Sequence, residues 1–247
     1  MATRYDAELA DIAIVVKRTP EEVMHALRGR RWVFDVVDCY PQPEASFWSR
    51  EQAIAWMRDR IRTLRPHAVI WPTQRMAEDC AVDLPSICLP HHHRPGIERN
   101  PIRPKVEAIG YEGAPPYIET WIPAIWKQCE RRGWQFVLNP GRMADLDIVL
   151  ALRGGDHEGY VQRHWKSNVK LANAHGSGTP FIGQKECGYT ETSSGAEYWI
   201  EDPDALGLVF DLLEDQDARR RIQRTFLPCS YSVEQAASDL LKFLHGL

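Results

Sequence analysis

Short, unbroken apolar runs recur along the chain, separated by stretches whose apolar residues fall three or four apart. Asp11 to Val16 (DIAIVV), Trp32 to Val37 (WVFDVV), Ala68 to Trp71 (AVIW) and Leu84 to Leu89 do not alternate in polarity. That is the pattern of strands buried on both faces, as in parallel sheets. Between them, Pro20 opens a predicted helix running to about Arg28. Ser49 caps another whose apolar stripe is Ile54, Met57, Ile61 and Leu64. After Trp71, Pro72-Thr73-Gln74 turns the chain into a short helix carrying Glu78 and Asp79.

The segment PHHHRPGIERNPIRP, residues 90 to 104, has four prolines and no periodicity and reads as a connector. The αβ rhythm then restarts. Strands are predicted at Val106 to Gly110, Gln135 to Leu138, Asp147 to Leu152, Thr179 to Ile182 and Tyr198 to Ile200. The turn GYEG follows the first of these. Helices are predicted over Tyr117 to Arg132, from Ser167 to Gly176 or Gly178, from Pro203 to Glu214, over Asp217 to Arg224 and over Ser232 to Leu244. Strands alternating with helices at this pace imply an α/β protein with parallel sheets and ligand loops at the strands' carboxyl ends, where Asp38, Thr73 and His91 would lie. The expected division is a first Rossmann-like domain, 1–104, and a second, 105–247. The terminal helix has an apolar face (Val233, Ala236, Leu240, Leu241, Leu244) that must dock, with the first domain as one candidate.

The most informative stretch is Trp165 to Ile182, WKSNVKLANAHGSGTPFI. A helix start presents unpaired N–H groups and a partial positive charge, and Lys166 and Lys170 add two full charges there. Such a place suits a phosphate, and equally an ordinary αβ unit with solvated lysines.

Composition narrows the class. At 247 residues and 44% hydrophobic content the chain can bury a core, and no run of eighteen apolar residues marks a membrane span. The first ten residues lack a signal-peptide core, so a cytoplasmic protein is expected. Six scattered cysteines without a CxxC pair argue against a zinc site or a disulfide framework. The HHHRP run alternates its side chains in an extended segment and has no matching Cys or carboxylate pattern, so no metal is expected. The net charge of −4 hides an asymmetry: residues 1–104 carry 15 Lys+Arg against 14 Asp+Glu, and residues 105–247 carry 15 against 20. Arg50, Arg58, Arg60, Arg62 and Arg65 share one predicted helix, which keeps an anionic partner such as nucleic acid among the options beside a solvated face. GxSxG, HExxH, P-loop and GxGxxG signatures are all missing.

The second half resembles the nucleotide-binding domain of GT-B-fold glycosyltransferases, in which two Rossmann-like domains face each other across a cleft. The matching residues are DIVLALR (Asp147 to Arg153), KSNVKLANAHGSGTPFI (Lys166 to Ile182), GYTE (Gly188 to Glu191) and EDPDALGLVFDLLEDQDARRRI (Glu201 to Ile222). Two glutamates that the large retaining group carries near the helix start, eight residues apart, fall here on Trp165 and Asn173. That leaves retention or inversion open.

The resemblance implies a transferase that moves a sugar from a nucleoside diphosphate-sugar, as co-substrate, to an unidentified acceptor without a metal or further cofactor. Lys166, Ser167, Asn168, Lys170 and Arg153 would stabilise the leaving diphosphate. Gly110 and Gly113 would let backbone approach it, or simply turn the chain. Asn173 and Glu191 would bond ribose or sugar hydroxyls, Glu191 having a helix-start carboxylate as its plainer reading. An inverting enzyme needs a base, for which Asp38, Asp79 and His91 to His93 are the choices. The alternatives are a DNA-modifying glycosyltransferase acting on a hydroxylated base, and a non-catalytic nucleotide-sugar-binding protein of the same fold.

Overall fold

The computed structural model describes residues 11–38 and 47–247. Cys39 and the loop containing Pro41 and Pro43 lie outside them. Two parallel sheets carry the architecture. The first contains β1 (Ala13–Val16), β2 (Trp32–Asp35), β3 (Ala68–Trp71) and β4 (Ser86–Cys88), side by side in chain order. The second contains β5 (Ala108–Tyr111), β6 (Gln135–Leu138), β7 (Ile148–Ala151), β8 (Phe181–Gly183) and β9 (Tyr198–Trp199), in the order β6-β5-β7-β8-β9. The chain therefore reverses its direction of travel across the second sheet between β5 and β7. Loops leaving the carboxyl ends of two such strands diverge and open a crevice.

The crossovers form where caps and apolar spacing coincide. The helix α1 (Glu21–Ala26) follows Pro20. The Ser49 hydroxyl accepts from Gln52 N–H to start α2 (Arg50–Leu64), and the Gln52 side chain answers to the Ser49 N–H. Thr73 caps α3 (Gln74–Cys80) by accepting from Met76 N–H at 3.1 Å. In the second half, α4 (Ile122–Arg132) and α6 (Val169–Ser177) both stop at a left-handed glycine, Gly133 and Gly178. Then come α8 (Leu206–Glu214), α9 (Gln216–Phe226) and α10 (Val233–His245).

Two short helices have no counterpart in the sequence reading: α5 (Tyr160–Trp165) and α7 (Cys187–Glu191). The first of them explains how the halves join. Val161 and Trp165 of α5 are buried with Phe34, Trp71, Met57 and Met76, on one face of the first sheet. On the opposite face Val33, Ala68 and Ile70 are covered by Leu240, Phe243 and Leu244 of α10. Both faces of the first sheet are thus partly covered by helices from the far end of the chain. The 90–104 connector is also packed: buried Asn100 donates to Thr179 Oγ1 at 3.0 Å, and its N–H donates to Ser177 O at 2.7 Å.

The second core is pinned by the buried Glu197. Its carboxylate accepts from His175 Nε2 at 2.8 Å, Ser193 and Ser194 hydroxyls at 2.5 and 2.8 Å, and Gly195 N–H at 3.0 Å. Burial pushes this carboxyl up, but the hydrogen bonds from His175, Ser193 and Ser194 outweigh it and leave the group well below the ordinary glutamate range. A carboxyl lowered on folding stabilises above its unfolded value of 4.5 and loses that contribution as pH falls through its folded value. Glu197→Gln is expected to cost about 3 kcal/mol at neutral pH. Urea midpoints of the two proteins should differ at pH 7 and draw closer as pH falls progressively below 4.5, and equal midpoints at pH 7 would count against the network.

Candidate active site

The chain leaves β2 through a strained turn. Val37 has φ 63°, and the turn closes with Asp38 N–H donating to Val36 O at 2.7 Å. A β-branched residue in this region costs about 1–3 kcal/mol, so surrounding bonds must hold it there. Two do. Asp35 Oδ1 accepts from Val37 N–H at 3.0 Å, and His91 Nε2 lies 2.7 Å from Val37 O. A carbonyl can only accept, so Nε2 carries the imidazole proton and Nδ1 keeps its lone pair.

The turn delivers Asp38 to the other half. Its Oδ2 is 2.5 Å from Lys166 Nζ, and its Oδ1 accepts from Ser167 N–H at 3.2 Å. Burial pushes the Asp38 carboxyl up. The Lys166 charge and hydrogen bond, Ser167 N–H and Lys17 together prevail and hold it below the usual aspartate value. Ser167 is not the helix cap that spacing suggested, because α6 begins two residues further on, at Val169. Asn168 occupies the cap position of α6 without a side-chain cap bond. Its amide instead clasps the His91 backbone, accepting from N–H at 2.8 Å and donating to O at 3.3 Å.

Along the second sheet, the loops after β5, β7 and β8 supply the rest. Lys170 Nζ sits 3.9 Å from the centroid of the Tyr111 ring. Burial, then the Arg153 charge, push its ammonium down to about 7, against the pull of Glu186. Arg153 is buried. Its Nε donates to Glu186 Oε1 at 3.0 Å, and its guanidinium lies 5.3 Å from the Tyr117 ring. Among the described residues, Glu186 Oε2 and the Tyr111 hydroxyl are buried with no hydrogen-bond partner. Each such atom costs about 1–3 kcal/mol, a burden that a bound ligand can relieve.

The structure brings Asp38, His91, Lys166, Ser167, Asn168, Lys170 and Arg153 to one junction between the sheets. Asn173 borders it, its amide accepting from Arg94 N–H at 2.9 Å and donating to Glu112 Oε2 at 3.1 Å. Burial lowers the His91 pKa below 6.5, only partly offset by Val37 O and Asp38, so the ring is neutral at pH 7.

The other four candidates have local partners. Asp79 is a buried knot: it accepts from Arg50 at 2.9 Å, the Tyr160 hydroxyl at 2.6 Å and Trp165 Nε1 at 2.9 Å, with Arg75 at 3.1 Å. Glu191 accepts from Gln74 and Arg75 N–H at 2.7 and 2.9 Å, a carboxylate on the start of α3. Each half thus places a carboxylate against the beginning of a helix in the other. Gly110 lies within β5, where a Cβ would meet Leu146 Cδ1 at 2.5 Å. Gly113 has φ 149°, and its N–H donates to Asn139 Oδ1 at 2.8 Å.

Sequence reasoning overlooked Tyr111, Glu112, Glu186 and Asp35. All four lie at or just beyond the carboxyl end of a parallel strand, and that rule alone would have flagged them. Burial raises Asp35 to about 6, partly countered by Val37 N–H.

No protein-family model matches the chain, and no curated protein sequence matches it. Solved structures do. Anabaena HepE in complex with UDP and glucose superposes with a TM-score of 0.62 at 12% identity, over 96% of this chain and 78% of that one. AviGT4, a glycosyltransferase involved in avilamycin A biosynthesis, gives 0.52 at 13% identity, over 91% and 77%. The UDP-GlcNAc 2-epimerase of Neisseria meningitidis bound to UDP-GlcNAc gives 0.55 at 11% identity, over 96% and 76%. The fold is GT-B-like: two parallel Rossmann-like sheets, shared with the glycosyltransferase AviGT4, with HepE and with the epimerase. Among the described residues no helix is long and apolar enough to cross a membrane.

Proposed function

We propose that the chain transfers a sugar from a nucleoside diphosphate-sugar to a small acceptor, with protein cations rather than a metal stabilising the leaving diphosphate. The observation that carries this reading is the cluster at the switch point of the second sheet, where Lys170 and Arg153 stand beside two buried polar atoms lacking partners. Lys166 and the Ser167 N–H already hold an anion, the Asp38 carboxylate, which supports an anion site at the start of α6. In this reading Asp38 yields those donors when the diphosphate binds. The acceptor oxygen then attacks the anomeric carbon, the bond to the diphosphate breaks with its electron pair leaving on the diphosphate oxygen, and His91 Nδ1 takes the acceptor's proton. Asn173 and Glu112 remain for sugar or ribose hydroxyls.

Calorimetric titration with UDP, GDP, ADP and TDP sugars tests the reading, and no binding to any of them removes it. Lys166→Ala is expected to weaken binding of the preferred nucleotide by about 1–3 kcal/mol. Asp38→Asn should strengthen it, because the internal competitor is gone. Affinity should also fall as pH rises above about 7, the range in which Lys170 loses its proton. Titrations at pH 6.5 and 8.5 in buffers of different ionisation enthalpy would reveal the proton uptake.

A DNA acceptor is less favoured, because the arginines of α2, though largely exposed, already have partners within the protein. Arg50 binds Asp79, Arg58 the Cys80 carbonyl, Arg60 the Thr19 hydroxyl and Arg62 Asp59. Steep loss of DNA affinity with salt would restore that alternative. Release of free nucleotide from any donor would exclude a purely binding role.

A further inference from the structure

A cavity of about 320 Å³ lies beneath α10, at the carboxyl ends of β2, β3 and β4. It is at the small end of the range for small-molecule sites. Ala236, Ala237 and Leu240 of α10 form its roof, and the two alanines leave the space that larger side chains would fill. Asp35, Val37 and His91 face it from the sheet. Val37 and His91 are also the residues behind the Asp38 turn, so this wall is shared with the anion site on Lys166.

The polar lining has one character. Asp35 accepts a single hydrogen bond, from Val37 N–H, and the described residues supply no second donor. His91, with its proton committed to Val37 O, offers a lone pair at Nδ1. His92 also lines the cavity; its Nδ1 lies 2.7 Å from His93 O, so the proton sits there and Nε2 keeps its lone pair. All three groups accept, while the remaining wall is largely apolar. A carboxylate also repels phosphates and carboxylic acids. The chemistry that fits is an uncharged or cationic molecule, mostly apolar, that brings hydroxyl or amine hydrogens.

We propose that this cavity binds a small, largely apolar alcohol, phenol or amine through Asp35 and, where the transferase reading of the neighbouring site holds, that this molecule is the acceptor. The acceptor role rests on the transferase reading; the binding site itself does not. Its position supports the link, because His91, the base of the transferase reading, lines the cavity while its backbone is held by Asn168 beside the Lys166 anion site.

Fluorine NMR on the intact chain tests the proposal with 4-fluorophenol and 4-fluorotoluene, which differ in the hydroxyl. The phenol should bind with a Kd about fivefold below that of the toluene, the effect of one hydrogen bond. Asp35→Asn should shrink that preference. Ala237→Trp, at a roof position that solvent also reaches, should fill the cavity, block both probes and leave UDP affinity unaltered. Equal binding of the two probes to the wild type, or phenol binding that survives Ala237→Trp, would overturn the assignment. No sugar nucleotide takes part. A chain that prefers the phenol and binds no nucleotide sugar therefore keeps the cavity and loses the transferase, and the opposite pattern does the reverse.

Discussion

Replacing His91 with asparagine is expected to lower sugar transfer by about 10²–10⁴-fold, the contribution of a positioned general base, with affinity for the nucleotide almost unchanged. The expectation follows from competition among the candidate bases. Asp38 is the anion that the diphosphate replaces at Lys166, and Asp79 is surrounded by donors and held below its usual value, so neither is placed to take the acceptor's proton. His91 is neutral at pH 7 and presents an unprotonated Nδ1. Its pKa is lowered, so the acid limb of kcat/KM should fall below the ordinary imidazole value of 6.5. Activity should thus persist as pH drops through 6.5 and fail further down. A limb at or above 6.5, or full activity in the asparagine variant, would assign the proton to another group.

The largest stability loss is expected at Asp79→Ala, about 3–5 kcal/mol, the range for removing one member of a buried ionic network. Arg50, Arg75, the Tyr160 hydroxyl and the Trp165 indole all lose their shared acceptor, and two of these come from α5. Since α5 covers a face of the first sheet, the damage should reach both halves in one transition. Glu191→Ala removes a similar carboxylate from the start of α3, but this residue is exposed, and its loss should cost about 1 kcal/mol or less. Guanidinium denaturation of the two variants gives the comparison. Equal losses would mean that burial is not what sets the difference.

How much of this could be read in the chain depended on distance. The strand Ala68–Trp71 and the Ser49 cap were legible because an unbroken apolar run and an S-x-x-Q spacing carry their own signals. Lys166 and Lys170 stood out for the same local reason, as positive charge at a helix start, and Ser167 as a candidate cap. Their partners did not. Asp38 meets Lys166 from 128 positions away, and Glu191 meets α3 from 117 and 116, contacts that no periodicity encodes. The helix α5 was missed because YVQRHW is too short to show a repeat and owes its burial to a sheet from the other half. Ser167 was misread as a cap because α6 begins one residue later than the spacing suggests, with Asn168 at the cap position.

The covering of the first sheet by α10 also bears on how the chain matures during synthesis. Val33, Ala68 and Ile70 emerge early from the ribosome, yet the side chains that shelter them are translated near residue 240. This face of the first sheet is consequently completed only after about 170 further residues have been made, and until then it offers a bare apolar surface of the sort that chaperones engage.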